Sequence, residues 1–207
     1  MSRSRKLWIP GPVGKLEAVL RVAETPVAAA VFAHPHPQQG GTMHNTVIFH
    51  SDRELNRAGW TTLRFNFRGV GKSEGEHDDG RGEFDDARAA WHWMREKYPR
   101  ARRWLAGFSF GSWVAARLAA SEADVEHLLL IAPPVTRSGF DVLKSTTVPK
   151  LIIQGTADDV CPIEALETQL PAWAEPKKVI RVVGASHFFD KQLAQLGKAV
   201  LEGMPST

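Results

Sequence analysis

Gly107-Phe108-Ser109-Phe110-Gly111 is the most informative part of this chain, because its G-x-S-x-G pattern lies between a strand-like run and a helix-like run. The run before it is Arg103-Trp104-Leu105-Ala106, and the run after it spans Trp113 to Ala120. A turn this tight leaves no room for side chains at its flanks, which accounts for the two glycines. The sequence therefore predicts a nucleophile elbow, a sharp turn that exposes the Ser109 hydroxyl at the start of a helix.

Length and composition indicate a single globular domain over residues 1–207. Hydrophobic residues make up 43% of the chain and charged residues 24%, which is enough apolar material for a packed core. One cysteine, Cys161, excludes an internal disulfide and a cysteine-based zinc cluster. No apolar run reaches the length of a membrane span, and Pro10-Gly11-Pro12 interrupts the apolar stretch that follows the basic residues 1–6. We therefore expect a cytoplasmic protein with no membrane partner.

The charge of the chain argues against a nucleic-acid partner. The formal net charge is only +3, acidic residues are spread throughout, and no basic stripe with interleaved aromatic residues is present. The best interpretation is a solvated surface of mixed charge. The sequence leaves formation of a homodimer open.

Strand-like and helix-like segments alternate from Val27 to the C-terminus, after an antiparallel hairpin formed by Leu7–Ile9 and Gly14–Val22. The predicted strands are residues 27–33, 60–67, 103–106, 125–131, 149–154 and 177–183. The predicted helices are residues 45–58, 83–97, 113–120, 162–170 and 188–201. This alternation predicts an α/β fold with a doubly wound, mostly parallel sheet and helices on both faces.

Further polar residues follow predicted strands, where the functional residues of an open parallel sheet collect. The loop from Gly155 to Pro162 offers two candidate acids, Asp158 and Asp159, and His187 follows the last predicted strand. A histidine can take the proton of a serine hydroxyl, and a carboxylate can orient the imidazole that does so. The order along the chain predicts a catalytic triad of Ser109, an aspartate and His187.

These motifs resemble the α/β-hydrolase superfamily over nearly the full chain, and within it the small lidless bacterial serine hydrolases that carry an N-terminal H-P-H-P motif. The matching residues are His34-Pro35-His36-Pro37, Gly40-Gly41-Thr42-Met43 and residues 65–75, 107–111, 155–162 and 184–189. The resemblance implies the α/β-hydrolase fold without a cap domain. In the family motif G-x-x-D-x-hydrophobic-x-P the acid falls on Asp158, so the resemblance implies Asp158 rather than Asp159 as the third triad member.

The resemblance also implies an oxyanion hole made of two backbone N–H groups. One belongs to Phe110, the residue after the serine. The other comes from the loop that starts at His34, where prolines leave only His34, His36 or Gln38 as donors. Alignment with the family's H-G-x pattern selects His36, although a proline stands where glycine is usual. We expect the His34 side chain to be structural, and we expect no metal site from His34, His36 and His44.

The segment from residue 132 to residue 148 is too short for a cap domain, so we expect a shallow, open site. Such a site suits a serine esterase that cleaves short-chain carboxylic esters through an acyl-enzyme, with a small-molecule acyl substrate and no cofactor. The same triad would also serve a thioesterase or a hydrolase of small peptides or amides. The alternative from another class is a non-catalytic hydrolase-fold protein that binds a ligand.

Overall fold

An eight-stranded sheet forms the centre of the protein in the computed structural model, which describes residues 3–24, 26 and 28–203. The strands are β1 (Arg3–Gly11), β2 (Gly14–Val22), β3 (Ala28–Ala33), β4 (Thr61–Phe65), β5 (Arg102–Phe108), β6 (His127–Ile131), β7 (Lys150–Gly155) and β8 (Lys177–Val182). Their order across the sheet is β1-β2-β4-β3-β5-β6-β7-β8. Val27, the predicted first residue of the third strand, lies outside the described residues, as do Met1 and Ser2.

The sheet is antiparallel at one edge and parallel elsewhere. β1 pairs antiparallel with β2 through the predicted hairpin, and β2 pairs antiparallel with β4. From β4 to β8 every neighbouring pair is parallel. The carboxyl ends of β3 and of β5 to β8 therefore lie at the same edge of the sheet, where the loops that follow them can form one site.

Helices cover both faces of the sheet, as the sequence predicts. They are α1 (Thr46–Arg57), α2 (Arg81–Lys97), α3 (Phe110–Ala119), α4 (Ile163–Gln169) and α5 (Leu193–Glu202). Residues of α2, α3 and α4 pack in one apolar cluster, and residues of α1 and α5 pack in the other. Alternate residues of β3 enter the two clusters, because successive side chains of a strand point to opposite faces. No helix in the described part of the chain combines the length and apolar character needed to cross a membrane.

The last helix begins later than the sequence predicts. The prediction starts at Phe188, whereas α5 starts at Leu193. Phe189 and Lys191 have φ values of 54° and 62°, which a right-handed helix does not accommodate. The turn buries the Phe189 side chain completely in the apolar cluster that contains residues of α1 and α5.

Candidate active site

Ser109 lies in a strained turn between β5 and α3. Its φ of 52° and ψ of −123° place it outside the regions that non-glycine residues favour. A Cβ atom on Gly107 would lie 2.2 Å from the carbonyl group of Gly111, and one on Gly111 would lie 2.1 Å from the carbonyl oxygen of Ala33. The two glycines are therefore required by contacts between backbones. Gly107 lets α3 fold back against β5, and Gly111 lets α3 approach the end of β3.

Asp158 and His187 form a buried hydrogen-bonded pair. Asp158 Oδ2 lies 2.8 Å from His187 Nδ1, and the two residues are only 5% and 4% exposed. Because the carboxylate accepts from Nδ1–H, it leaves Nε2 as the free nitrogen that can accept a proton. The neighbouring Asp159 is exposed to solvent, so it does not share this environment.

Three further donors hold the Asp158 carboxylate in place. Gln154 Nε2 donates to Oδ2 at 3.0 Å, and the backbone N–H groups of Val160 and Cys161 donate to Oδ1 at 3.0 and 2.7 Å. The contact of Gln154 with Asp158 is not among the features that the sequence predicts. A polar residue that follows the apolar run of residues 151–153 near the end of β7, just before the acid loop, is the signal that could have revealed it.

The three loops that carry Ser109, Asp158 and His187 follow β5, β7 and β8 at the same edge of the sheet. The imidazole ring of His187 lies 4.9 Å from the ring of Phe108, the residue before Ser109. Among the described residues, no direct hydrogen bond joins the Ser109 hydroxyl to His187. Catalytic hydrogen bonds are often long until substrate binds. The arrangement thus joins Asp158 to His187 and places His187 against the turn that carries Ser109.

The two expected oxyanion donors lie on segments that touch each other. Phe110 is the first residue of α3, so its N–H has no acceptor within the helix. The loop after β3 folds back on itself, because the N–H groups of Gln39 and Gly41 both donate to the His36 carbonyl oxygen. In the part of the chain that the structure describes, the N–H groups of His36 and Phe110 have no acceptor inside the protein. The rings of these two residues lie 4.9 Å apart.

His34 is a buried structural residue. The backbone N–H of Phe67 donates to its Nε2 at 3.1 Å, so the ring proton lies on Nδ1, which donates to the Pro35 carbonyl oxygen at 2.7 Å. Burial lowers the pKa of His34 to about 3, against a weaker opposing effect of the bond to Pro35. The neutral imidazole therefore ties the loop after β3 to the strand end beside it.

Asp158, Cys161 and His187 bring their donor atoms within 4.8 Å of one another, a spacing that could hold a metal ion. The Asp158–His187 hydrogen bond and the bond from the Cys161 N–H already account for this close packing. Burial, together with the nearby Asp158 charge, raises the pKa of the Cys161 thiol to about 12. The thiol is therefore protonated at neutral pH and is a poor metal ligand in this state.

The aromatic residues near the elbow are mostly core residues. Phe108, Phe110 and Phe189 are at most 2% exposed, whereas Phe188 is 49% exposed beside His187. Of these rings, Phe188 is thus the one available to a ligand at the mouth of the site.

Comparisons with known proteins agree with this architecture. A family model described as the alpha/beta hydrolase fold matches residues 38–143. An uncharacterised protein of Rickettsia prowazekii is 34% identical over 205 residues, covering 94% of this chain and 86% of the relative. A solved alpha-beta serine hydrolase homologue from Coxiella burnetii is 37% identical, with a TM-score of 0.93 and 97% of both chains covered.

Two other solved structures are informative about the cap and the fold. One from Xanthomonas campestris, described as an a/b serine hydrolase without lid, is 38% identical, with a TM-score of 0.90 and 99% of this chain and 97% of that chain covered. Est1E from Butyrivibrio proteoclasticus, solved with ferulic acid, is 20% identical, with a TM-score of 0.85 and 95% and 96% of the two chains covered. At this identity Est1E shows similarity of fold alone.

Proposed function

The chain belongs to the alpha/beta hydrolase family, and from this premise we propose that it is a serine hydrolase that cleaves short-chain carboxylic esters through an acyl-enzyme intermediate. The observation that carries the proposal is the buried hydrogen bond between Asp158 Oδ2 and His187 Nδ1, with the imidazole against the elbow of Ser109. Asp159 is not part of the proposed triad, because its side chain is exposed.

In the proposed reaction Ser109 Oγ attacks the ester carbonyl carbon while His187 Nε2 takes the hydroxyl proton. Asp158 stabilises the imidazolium that forms and keeps its orientation. The N–H groups of Phe110 and His36 donate to the oxyanion of the tetrahedral intermediate. The imidazolium then protonates the leaving alcohol, and a water molecule, activated by the same imidazole, releases the acid from Ser109.

The preference for short acyl chains is supported by the segment between β6 and β7. Its only helical structure among the described residues is the 3₁₀ turn Phe140–Lys144, so it offers little apolar enclosure to a long chain. A site without such enclosure gains little from additional methylene groups of the substrate. We therefore expect turnover to fall as the acyl chain lengthens.

A fluorophosphonate probe and a series of p-nitrophenyl esters test the proposal. We expect wild type to be labelled and to prefer acetate or butyrate esters, and Ser109→Ala to lose both labelling and turnover. Ser121→Ala is the matched control, because Ser121 is an exposed serine just beyond the other end of α3. Equal labelling of wild type and Ser109→Ala would reject the triad. Preference for acyl-CoA or aminoacyl amides in parallel assays would reject the ester assignment and keep the triad.

A further inference from the structure

We propose that Arg137 binds an anionic group of the substrate, so that the site prefers esters that carry a carboxylate near the scissile bond. The inference rests on the proposed function and specifies the substrate class of the same site. Its basis is a guanidinium group that the fold positions beside the elbow and leaves without an acidic partner.

The loop that carries Arg137 is fixed against α3. Trp113 Nε1 donates to the Ser138 carbonyl oxygen at 2.7 Å, and a Cβ atom on Gly139 would lie 2.6 Å from that same nitrogen. On the other side of Arg137, the Val135 carbonyl oxygen accepts from Gln169 Nε2 at 2.6 Å. The backbone at Arg137 is thus held on both sides, so the loop loses little backbone entropy when Arg137 binds a ligand.

The Arg137 guanidinium lies over the residue that follows the nucleophile. Its central carbon is 5.6 Å from the centre of the Phe110 ring and 4.3 Å from that of Trp113. The His36 ring packs against the same Phe110 ring. Arg137 and His36 thus contact the same ring, and burial together with the nearby Arg137 charge lowers the pKa of His36.

No acidic group neutralises Arg137 among the described residues, where no carboxylate lies within 4.0 Å of its guanidinium and no acceptor binds the guanidinium N–H groups; its backbone N–H donates to the Pro134 carbonyl oxygen. The nearby acids are engaged elsewhere. Glu83 lies 2.8 Å and Asp79 3.5 Å from His77, and Asp141 lies 2.6 Å from Lys144. Several other half-buried or buried arginines are paired, as Arg68 is with Asp86. Arg117 is also half-buried without a paired acid, but its guanidinium lies on the Phe84 and Trp113 rings, away from the elbow. A planar guanidinium with free N–H groups is suited to bidentate binding of a carboxylate.

A polar cleft of about 460 Å³ lies beside Arg137, and no residue of the proposed triad lines it. Its other polar lining residues are Thr136, Ser138, Asp141, Lys144, Thr168 and Gln169. Arg137 belongs to this lining and also contacts Phe110, so a substrate that extends from Ser109 towards the cleft passes the guanidinium. Hydroxyl, amide and ammonium groups favour a hydrophilic, charged extension over an alkyl chain.

The test compares anionic and neutral esters of matched size. On the acyl side the pair is p-nitrophenyl hemisuccinate and p-nitrophenyl butyrate, and on the alcohol side it is m-acetoxybenzoate and m-acetoxybenzamide. We expect wild type to favour the anionic member of one pair by about tenfold or more in kcat/KM, and added salt to reduce this preference. Arg137→Gln should remove the preference, because kcat/KM for the anionic ester should fall much more than kcat/KM for the neutral ester.

Arg117→Gln is the matched control. Its guanidinium also lies on the Trp113 ring, at 4.6 Å, but it faces Phe84 rather than Phe110. This variant should retain the preference of wild type. A preference that survives in Arg137→Gln, or no preference in either pair of esters, would overturn the proposal.

A binding measurement separates this inference from the proposed function. Calorimetric titration of Ser109→Ala with monomethyl succinate and methyl butyrate requires no turnover, and only monomethyl succinate should bind, with binding lost in the double variant Ser109→Ala/Arg137→Gln. Such binding without any esterase activity would support the binding role of Arg137 and reject the proposed esterase function. Esterase activity with equal binding of both ligands would reject the binding role of Arg137 and leave the proposed esterase function in place.

Discussion

The Asp158 carboxylate is matched to its donors on both oxygens, since Oδ1 faces two backbone N–H groups and Oδ2 faces Gln154 and His187. An asparagine has only one oxygen there, so its amide N–H₂ group must face donors on one side. We expect Asp158→Asn to lower kcat/KM by about ten-thousandfold, because His187 loses the acceptor that fixes its tautomer. Steady-state kinetics on a short-chain ester measure the effect.

Asp159→Asn is the control for this substitution, because it makes the same chemical change at an exposed neighbouring position. We expect it to retain the activity of wild type. Equal losses in the two variants would show that charge in this loop, and not the bond to His187, supports turnover.

At the level of single residues, the sequence predicts local chemistry and misses tertiary contacts. Ser109 and its glycines are recognisable because a tight strand-to-helix turn imposes its residue types within five consecutive positions. The role proposed for Arg137 depends on a group that is distant along the chain, the Phe110 ring under its guanidinium. No local pattern encodes such contacts.

The position of helix α3 depends on its contact with the end of β3. A methyl group on Gly111 would meet the Ala33 carbonyl oxygen at 2.1 Å, and neither backbone can move without shifting the elbow. We expect Gly111→Ala to lower the free energy of unfolding by about 3 kcal/mol or more, measured by urea denaturation.

Gly59→Ala is the comparison for this substitution. Gly59 has a φ of 90°, and nothing lies within 4 Å of the added methyl group, so only the conformational strain remains. That strain costs about 1–2 kcal/mol. Equal destabilisation by the two substitutions would show that α3 can shift away from β3.

At the level of elements, strands and helices with strong periodicity are predictable, and their ends are less so. The helix α1 follows its predicted range closely, because Asn45 caps it through bonds to the N–H groups of Val47 and Ile48. The helix α5 does not, because the apolar Phe188 and Phe189 extend its pattern while the backbone turns to carry His187. The start of α5 is therefore set by the turn that carries His187 and not by the local apolar pattern.

Acid sensitivity is a property of the whole fold. Burial lowers the pKa of His34 to about 3, and burial with the nearby Arg102 and Lys150 charges lowers that of His127 to about 4. The unfolded chain binds protons on both residues near pH 6.5, and the folded chain does not. The free energy of unfolding should therefore be highest above pH 6.5 and should fall as the pH decreases from about 6.5 to about 4.

His127→Phe tests this linkage. His127 stacks on Trp104 with ring centres 4.1 Å apart, and phenylalanine can keep this stacking without binding a proton. We expect the slope of the free energy of unfolding against pH to decrease by up to about 1.4 kcal/mol per pH unit in this window. His44→Phe, at an exposed position, should leave the slope as it is in wild type. An unchanged slope in His127→Phe would contradict the linkage.

The edge strand β1 is poorly suited to pairing with a strand of another molecule. A free strand edge is a template for pairing with another chain, and such pairing leads to aggregation. Pro10 lacks an N–H group, and Arg5 and Lys6 are exposed on the same strand. Two molecules that met along β1 would bring like charges together on an edge with a gap in its donors. A homodimer, which the sequence leaves open, would thus have to assemble through a different surface.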